Sequence, residues 1–497
     1  MTIDHKHELD QQDFLITAAE LLKAYVASSS DSSKPVVELA CPDKLAAAFA
    51  ATGVPLKLDD HQAAAETSNE LIAALQTTLK HSVRTSHPLF FNQLYARVEP
   101  VGVAADWAVA ATNTNVHTYE VAPVFSLVEA ALLDKVARVI GFRQHDGLLV
   151  PGGSISNTYA LHLARFRKDP AVKTRGAAGG PVLVGFTSSH AHYSYEKAAH
   201  LTGLGTDNMV AVEADAQGQM LPHALEAAVA AARKQAKVPF FVGLTAGTTV
   251  TGGFDPIAAI APIARRHGMW LHVDGSWGAS LLLSPRHRGL LAGIEQADSV
   301  GWNAHKMLGL PSQCAAFISR HPGVLQDTNA THAPYLFQPD KLHGEYDIGD
   351  KSIQCGRKAD AFKWWLQWKA VGDAGFAARV EHNIELAEHV EACVAAAGGA
   401  FLMAVPRVAA NVCFWYVPPS LRPLDPAAAS PEQWAALGRV APAIKARMQQ
   451  AGDAMIGYQP LGQLPNFFRL VFANCVGVSR QQLQQLLQRM DQYGRDL

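Results

Sequence analysis

A doubly wound α/β fold is the class this sequence predicts: a large, mostly parallel sheet domain, a smaller C-terminal α+β domain and a helical N-terminal segment. Three observations carry it. From Val101 to about Gly375, short runs rich in Val, Phe, Leu and Ile alternate with Ala-rich helical stretches, the pattern of parallel strands covered by helices on both faces. Beyond Gly375 a long helical pattern leads into a few further strands. Hydrophobic residues make up 49% of the 497, ample for a large core, and the length suggests two or three domains. The expected division is a helical segment over 1–100, a large domain over 101–375 and a small domain over 376–497.

Within the first 85 residues the clearest helical pattern is Asp13–Val26, and the Ser-rich stretch Ser28–Ser33 breaks it. A helix over Thr158–Arg167 comes after the glycine loop Pro151–Asn157 (PGGSISN). Strands are expected at Pro181–Phe186, Val238–Leu244, Gly268–Val273 and Cys314–Ser319, with a helix over His223–Ala236 among them. The C-terminal part reads as a helix over Phe376–Ala397 and strands near Ala410–Val417 and Phe467–Ala473, with Pro418–Pro431 a surface excursion.

Composition narrows the function. A net charge of −2 leaves no electrostatic footprint for nucleic acid or an anionic membrane, so the expected partner is a small molecule. The six cysteines lack C-x-x-C spacing, which argues against a disulfide framework and against a zinc site; no metal is expected. No run of eighteen apolar residues occurs and the start lacks a signal pattern, so a soluble, cytoplasmic protein is expected.

The chemistry centres on Ser299–Leu310 (SVGWNAHKMLGL). An apolar run ends at Trp302, and Asn303, His305 and Lys306 come next before apolar residues resume. Most lysines at strand ends are solvated. One that is buried becomes less basic, which suits attack on an aldehyde. Upstream, Asp274 ends the run GMWLHV, where a doubly wound sheet opens its ligand crevice and a carboxylate needs a cationic partner. A protonated pyridine nitrogen is such a partner. The loop PGGSISN can offer amides at a helix start to a dianion. Cradle, acid and lysine are the three things pyridoxal 5'-phosphate asks of a protein.

The chain resembles the group II pyridoxal-phosphate decarboxylases, in particular the animal-type glutamate, cysteine sulfinate and aspartate decarboxylase branch. The resemblance runs from about Pro88 to Leu497 through HPLFFNQL, NTNVHTYEVAPVF, PGGSISN, TAGTTVTGGFDPI, HVDGSWG, NAHKM, GDKSIQCGR and NFFRL. Two departures are visible: Ala304 stands where the family usually has Pro, and Gly275-Ser276 where it has Ala-Ala or Ala-Ser. Neither removes a functional group.

The resemblance implies a fold-type I enzyme that removes carbon dioxide from an acidic amino acid, a homodimer with active sites at the interface and the N-terminal segment packed on the partner subunit. It implies that Lys306 carries the cofactor and Asp274 faces its ring nitrogen, that His192 stacks on the ring, and that Thr249 lies near the ring or its hydroxyl. His190, two residues before His192, would point to the opposite face of a strand. Ile155, Ser156, Asn303 and His305 would hold the phosphate. Arg469 would grip the substrate's distal acid, Gln93 and Tyr95 would line the substrate pocket, and Tyr346 on a mobile loop would deliver a proton. An aromatic Tyr95 shortens that pocket, which favours aspartate or cysteine sulfinate over glutamate. An aminotransferase could use the same lysine, aspartate and cradle, and a non-catalytic binding protein could share the fold.

Overall fold

The computed structural model describes residues 5–58 and 66–497; residues 1–4 and 59–65, parts of the segment expected to be helical, lie outside them. A two-residue strand β1 (Phe90–Phe91) comes first in the chain. The apolar runs beyond it form seven strands: β2 (Asp146–Val150), β3 (Leu183–Ser188), β4 (Met209–Val212), β5 (Val238–Thr245), β6 (Trp270–Asp274), β7 (Ser299–Asn303) and β8 (Ala315–Ser319). They make one sheet in the order β2-β8-β7-β6-β5-β3-β4. β8 runs antiparallel to both neighbours and the remaining pairs are parallel. Strands β2, β3, β6, β7 and β8 are buried at every position, as a sheet covered on both faces requires. The short β2 and β4 are not among the strands expected from sequence.

Helix Gly153–Lys168 covers one face, burying Tyr159, Ala160, Leu161, Leu163 and Ala164, and its last turn carries Arg165, Arg167 and Lys168 against the negative helix end. The long helix begins at Ala361 rather than Phe376 and changes direction at Gly372, whose φ of 66° suits glycine. Its Trp364 meets Trp302 of β7 edge-on at 5.2 Å, tying the helix to the strand that precedes Lys306.

A second sheet combines β1 with β9 (Phe401–Met403), β10 (Asn411–Tyr416), β11 (Met455–Leu461) and β12 (Leu464–Val471), in the order β1-β11-β12-β10-β9. Chain from the N-terminal 100 residues therefore forms an edge of the C-terminal sheet. Upstream, helices His5–Ser28, Pro42–Ala50 and Ser68–His81 leave Leu15 and Ile16 more than half exposed. Among the described residues no helix is long and apolar enough to cross a membrane.

Candidate active site

Parallel strands deliver their C-terminal ends to one edge of a sheet, and a cavity of about 300 Å³ opens there. Five of the strands contribute residues just beyond their ends: Gly152, Gly153 and Ser154 after β2, His192 after β3, Gly247 and Thr249 after β5, Ser276 and Trp277 after β6, His305 and Lys306 after β7. Asp274 and Asn303 are themselves the last residues of β6 and β7. Leu94 closes the wall from outside the sheet.

Lys306 and Asp274 share this cavity, yet among the described residues no ion pair joins them. Burial holds the Lys306 ammonium below the ordinary lysine value; Asp274 pulls the other way and Arg469 adds to the lowering. At Asp274, burial raises the carboxyl, and Lys306, the Asn157 amide, the Ser276 N–H and His272 together hold it below the usual carboxylate range. The Asn157 amide donates to Asp274 Oδ2 at 2.8 Å and the Ser276 N–H to Oδ1 at 3.0 Å. Asp274 is thus an ionised carboxylate at the end of β6, held so by its own neighbours. His192 is lowered by burial, raised by Asp274, and lowered again by Lys306 and Lys197. His305 is pushed by burial to about 4, and its Nδ1 sits 2.8 Å from the Cys314 carbonyl.

The glycine loop has the makings of an anion cradle. Gly152 enters the helix with φ 99°, where glycine is unstrained. A Cβ added to Gly153 would collide with Ser276 Oγ and come within 3.2 Å of Asn303 Nδ2, so only glycine leaves this space open. Ser276 Oγ, Asn303 Oδ1, Ser156 Oγ and Thr245 Oγ1 are buried without a hydrogen-bond partner. Buried polar atoms are rarely left so, and two of them, Ser276 Oγ and Asn303 Oδ1, belong to side chains beside Gly153 in the cavity wall, which suits a phosphate-bearing ligand.

Of the residues singled out in the sequence, Lys306, Asp274, His192, Thr249, Asn303 and His305 come together in the cavity. His190 does not; its ring lies beside Gly218. Ile155 and Ser156 require a correction in placement. Both amides turn into the helix toward the Gly152 carbonyl, at 3.2 Å each, and the Ser156 side chain faces Gly301 of β7, so Gly153 and Ser154 occupy the wall instead. Gln93 and Tyr95 are both exposed and flank the residue that does line the cavity, Leu94; the chain bends through 92–94 and brings the Tyr95 ring to 6.4 Å from that of Phe90. Tyr346 is 43% exposed and rests against Tyr119, ring centroids 5.4 Å apart, away from the wall. Arg469 lies one layer behind: Nη1 donates to the Thr249 carbonyl at 2.8 Å and Nη2 to the Asn92 carbonyl at 3.1 Å. Sequence reading misses Ser276 and Leu94, which sit inside recognisable motifs with nothing to mark them. It also misses the buried polar neighbours Asn157, Ser194 and His272.

An aldehyde cofactor needs an amine that burial has made nucleophilic, and a pyridine nitrogen needs a carboxylate that stays ionised at the same depth. Lys306 and Asp274 meet those needs on a doubly wound sheet, which places the protein among the pyridoxal phosphate enzymes of fold type I. The family model described as "Pyridoxal-dependent decarboxylase conserved domain" matches residues 53–417, and the chain belongs to that family. It is a pyridoxal phosphate-dependent amino-acid decarboxylase. Its structure is similar to that of mouse CSAD, cysteine sulfinic acid decarboxylase, in apo form: TM-score 0.93, 39% identity, covering 98% of this chain and 100% of that one. Oryza sativa TDC solved with PLP and tryptamine shares the fold at TM-score 0.85 and 22% identity, covering 99% of each chain.

Proposed function

We propose that the enzyme decarboxylates an acidic L-amino acid, cysteine sulfinate or aspartate in preference to glutamate. The observation that carries this reading is Arg469. Arg469 as a whole is 8% exposed, its Nε has no hydrogen-bond partner, and among the described residues no carboxylate pairs with it. A structural arginine would have found an acid within the chain; this one is held by two carbonyls and keeps its charge for a ligand. The 39% identity to the mouse enzyme over nearly the whole length of both chains supports the same substrate class.

Bound pyridoxal phosphate supplies an electron sink for the pair left behind when carbon dioxide departs. The chain's residues do the rest. Lys306 would hold the cofactor's aldehyde end through its amine, which burial makes less basic. Asp274 keeps a proton on the ring nitrogen. Ser154, Ser276, Asn303 and His305 would hold the phosphate, and His192 and Thr249, which line the same cavity, would hold the ring. Arg469 orients the distal carboxylate or sulfinate. Tyr346, on a loop that must close over the site, protonates the α-carbon and excludes water. We place Gln93 and Tyr95 at the substrate entrance, beside Leu94, and read the enzyme as a homodimer whose partner covers the exposed Leu15 and Ile16. All six cysteines are free thiols, which suits a reducing cytoplasm.

Purified protein loaded with pyridoxal phosphate should release carbon dioxide from cysteine sulfinate and aspartate with higher kcat/KM than from glutamate, without forming a 2-oxo acid. Replacing Tyr95 with Ser should move the ratio toward glutamate by about tenfold to two-hundredfold, the worth of one methylene in a pocket. Faster turnover of glutamate than of both shorter acids would overturn the substrate assignment, and 2-oxo acid as the main product would make the enzyme an aminotransferase.

A further inference from the structure

We propose that a directed chain of hydrogen bonds, from Trp270 through Ser299, His272, Asn157 and Ser194, holds His192 as a neutral imidazole protonated on Nε2, which presents an N–H donor at the cavity. Each link forces the next. A tryptophan Nε1 can only donate, and that of Trp270 lies 2.8 Å from Ser299 Oγ. Ser299 Oγ is also 2.9 Å from His272 Nδ1, and the hydroxyl, having accepted from Trp270, can donate its hydrogen there. His272 Nδ1 therefore accepts and Nε2 carries the proton, 3.0 Å from Asn157 Oδ1.

The far end demands the same direction. Ionised Asp274 can only accept, so the Asn157 atom 2.8 Å from its Oδ2 must be the amide nitrogen. That fixes the Asn157 carbonyl toward His272 and leaves one amide hydrogen for Ser194 Oγ, at 2.8 Å. Having accepted there, the Ser194 hydroxyl is free to donate to His192 Nδ1 at 2.8 Å, and the Ser194 backbone N–H donates to the same nitrogen at 3.2 Å. Two donors on Nδ1 leave Nε2 as the protonated nitrogen. Reversing the chain would set the Asn157 carbonyl against a carboxylate and strand the Ser299 hydroxyl hydrogen, and the interior is too dry to soften either fault. Ser194, Asn157, His272 and Ser299 are all buried. Burial also keeps His272 neutral at pH 7, with its pKa near 4.

His192 is then a donor toward an anionic group and not a base, a role that rests on the decarboxylase reading for the identity of that group. Asn157, Ser194 and His272 act through it and through Asp274, as positioning residues. The charges facing His192 are Asp274, Lys306 and Lys197, the last stacked on the Tyr193 ring.

The test is long-range proton–nitrogen NMR on protein labelled with ¹⁵N-histidine, with and without pyridoxal phosphate, His192 being assigned by its loss in His192→Asn. Expected at pH 7 is the neutral Nε2–H form in both samples. In Ser194→Ala the His192 titration should rise by about one pH unit, since a hydrogen bond that favours the neutral ring is lost. A purely structural Ser194 would lower stability and leave that titration in place. An Nδ1–H or cationic His192 in wild-type protein overturns the inference, as does an unmoved titration in a folded Ser194→Ala. Because the tautomer is read without substrate, its failure is separable from failure of the decarboxylase assay.

Discussion

At Asp274 one residue shows how burial and partners divide the work. Burial alone would protonate the carboxyl, and only the surrounding donors keep it charged. Asp274→Asn preserves shape and the turn at Ser276 but removes the charge that stabilises a protonated ring nitrogen. Removing one preorganised electrostatic group costs about 10²–10³ in kcat. The variant should therefore lose at least about a hundredfold in kcat while still binding pyridoxal phosphate through the cradle, as absorbance titration would record. Turnover near wild type would exclude the role. The placement of Asp274, Lys306, His192, Thr249, Asn303 and His305 was legible because each lies at or just beyond the end of an apolar run or sits in a recognisable motif. Gln93, Tyr95 and Tyr346 lie outside the cavity wall, because which side of a loop faces a cavity depends on packing that no local pattern encodes.

The loop and helix around Gly153 carry the next scale. Its neighbour Gly152 needs a left-handed φ; Gly153 needs room. In Gly153→Ala the new methyl would drive the Ser276 hydroxyl from its position, a movement a serine makes by turning one bond, so the fold should persist. The cradle should not. Loss of about one hydrogen bond to the phosphate predicts at least about tenfold weaker pyridoxal phosphate binding with little change in melting temperature. Equal affinity in the variant would show that the phosphate sits elsewhere. Among elements, long strands and helices were legible from periodicity. The four-residue β4 and the two-residue β1 carry too few residues to show a period, β2 opens on Asp146 and Gly147, which favour turns, and the helix from Ala361 shows its pattern only from Phe376 because the turn at Gly372 interrupts it.

Across the molecule, two buried histidines and the half-buried His305 set an acid limit. Burial lowers His87, His272 and His305 to about 4 from 6.5. A depressed histidine contributes stability that is fully present above 6.5, its unfolded value, and is lost as pH falls toward its folded value, because the unfolded chain takes up protons that the fold refuses. Between about pH 6.5 and 4.5, urea denaturation should show stability falling by up to about 4 kcal/mol per pH unit if all three act together. A flat stability profile over that window would mean these rings are hydrated or already protonated in the fold.

By itself the sequence determined the alternation of strand and helix, the apolar runs that end at Asp274 and Asn303, and the glycines before the first large-sheet helix, because these depend on local periodicity and backbone freedom. Tertiary structure alone decided the rest. Strand order brings the ends of β2, β3, β5, β6 and β7 to one cavity, and β1 supplies Asn92's neighbourhood to an arginine 377 residues away in the chain. The direction of every proton between Trp270 and His192 is likewise a property of the packed core, since each donor there is defined only by the partner that contact through space provides.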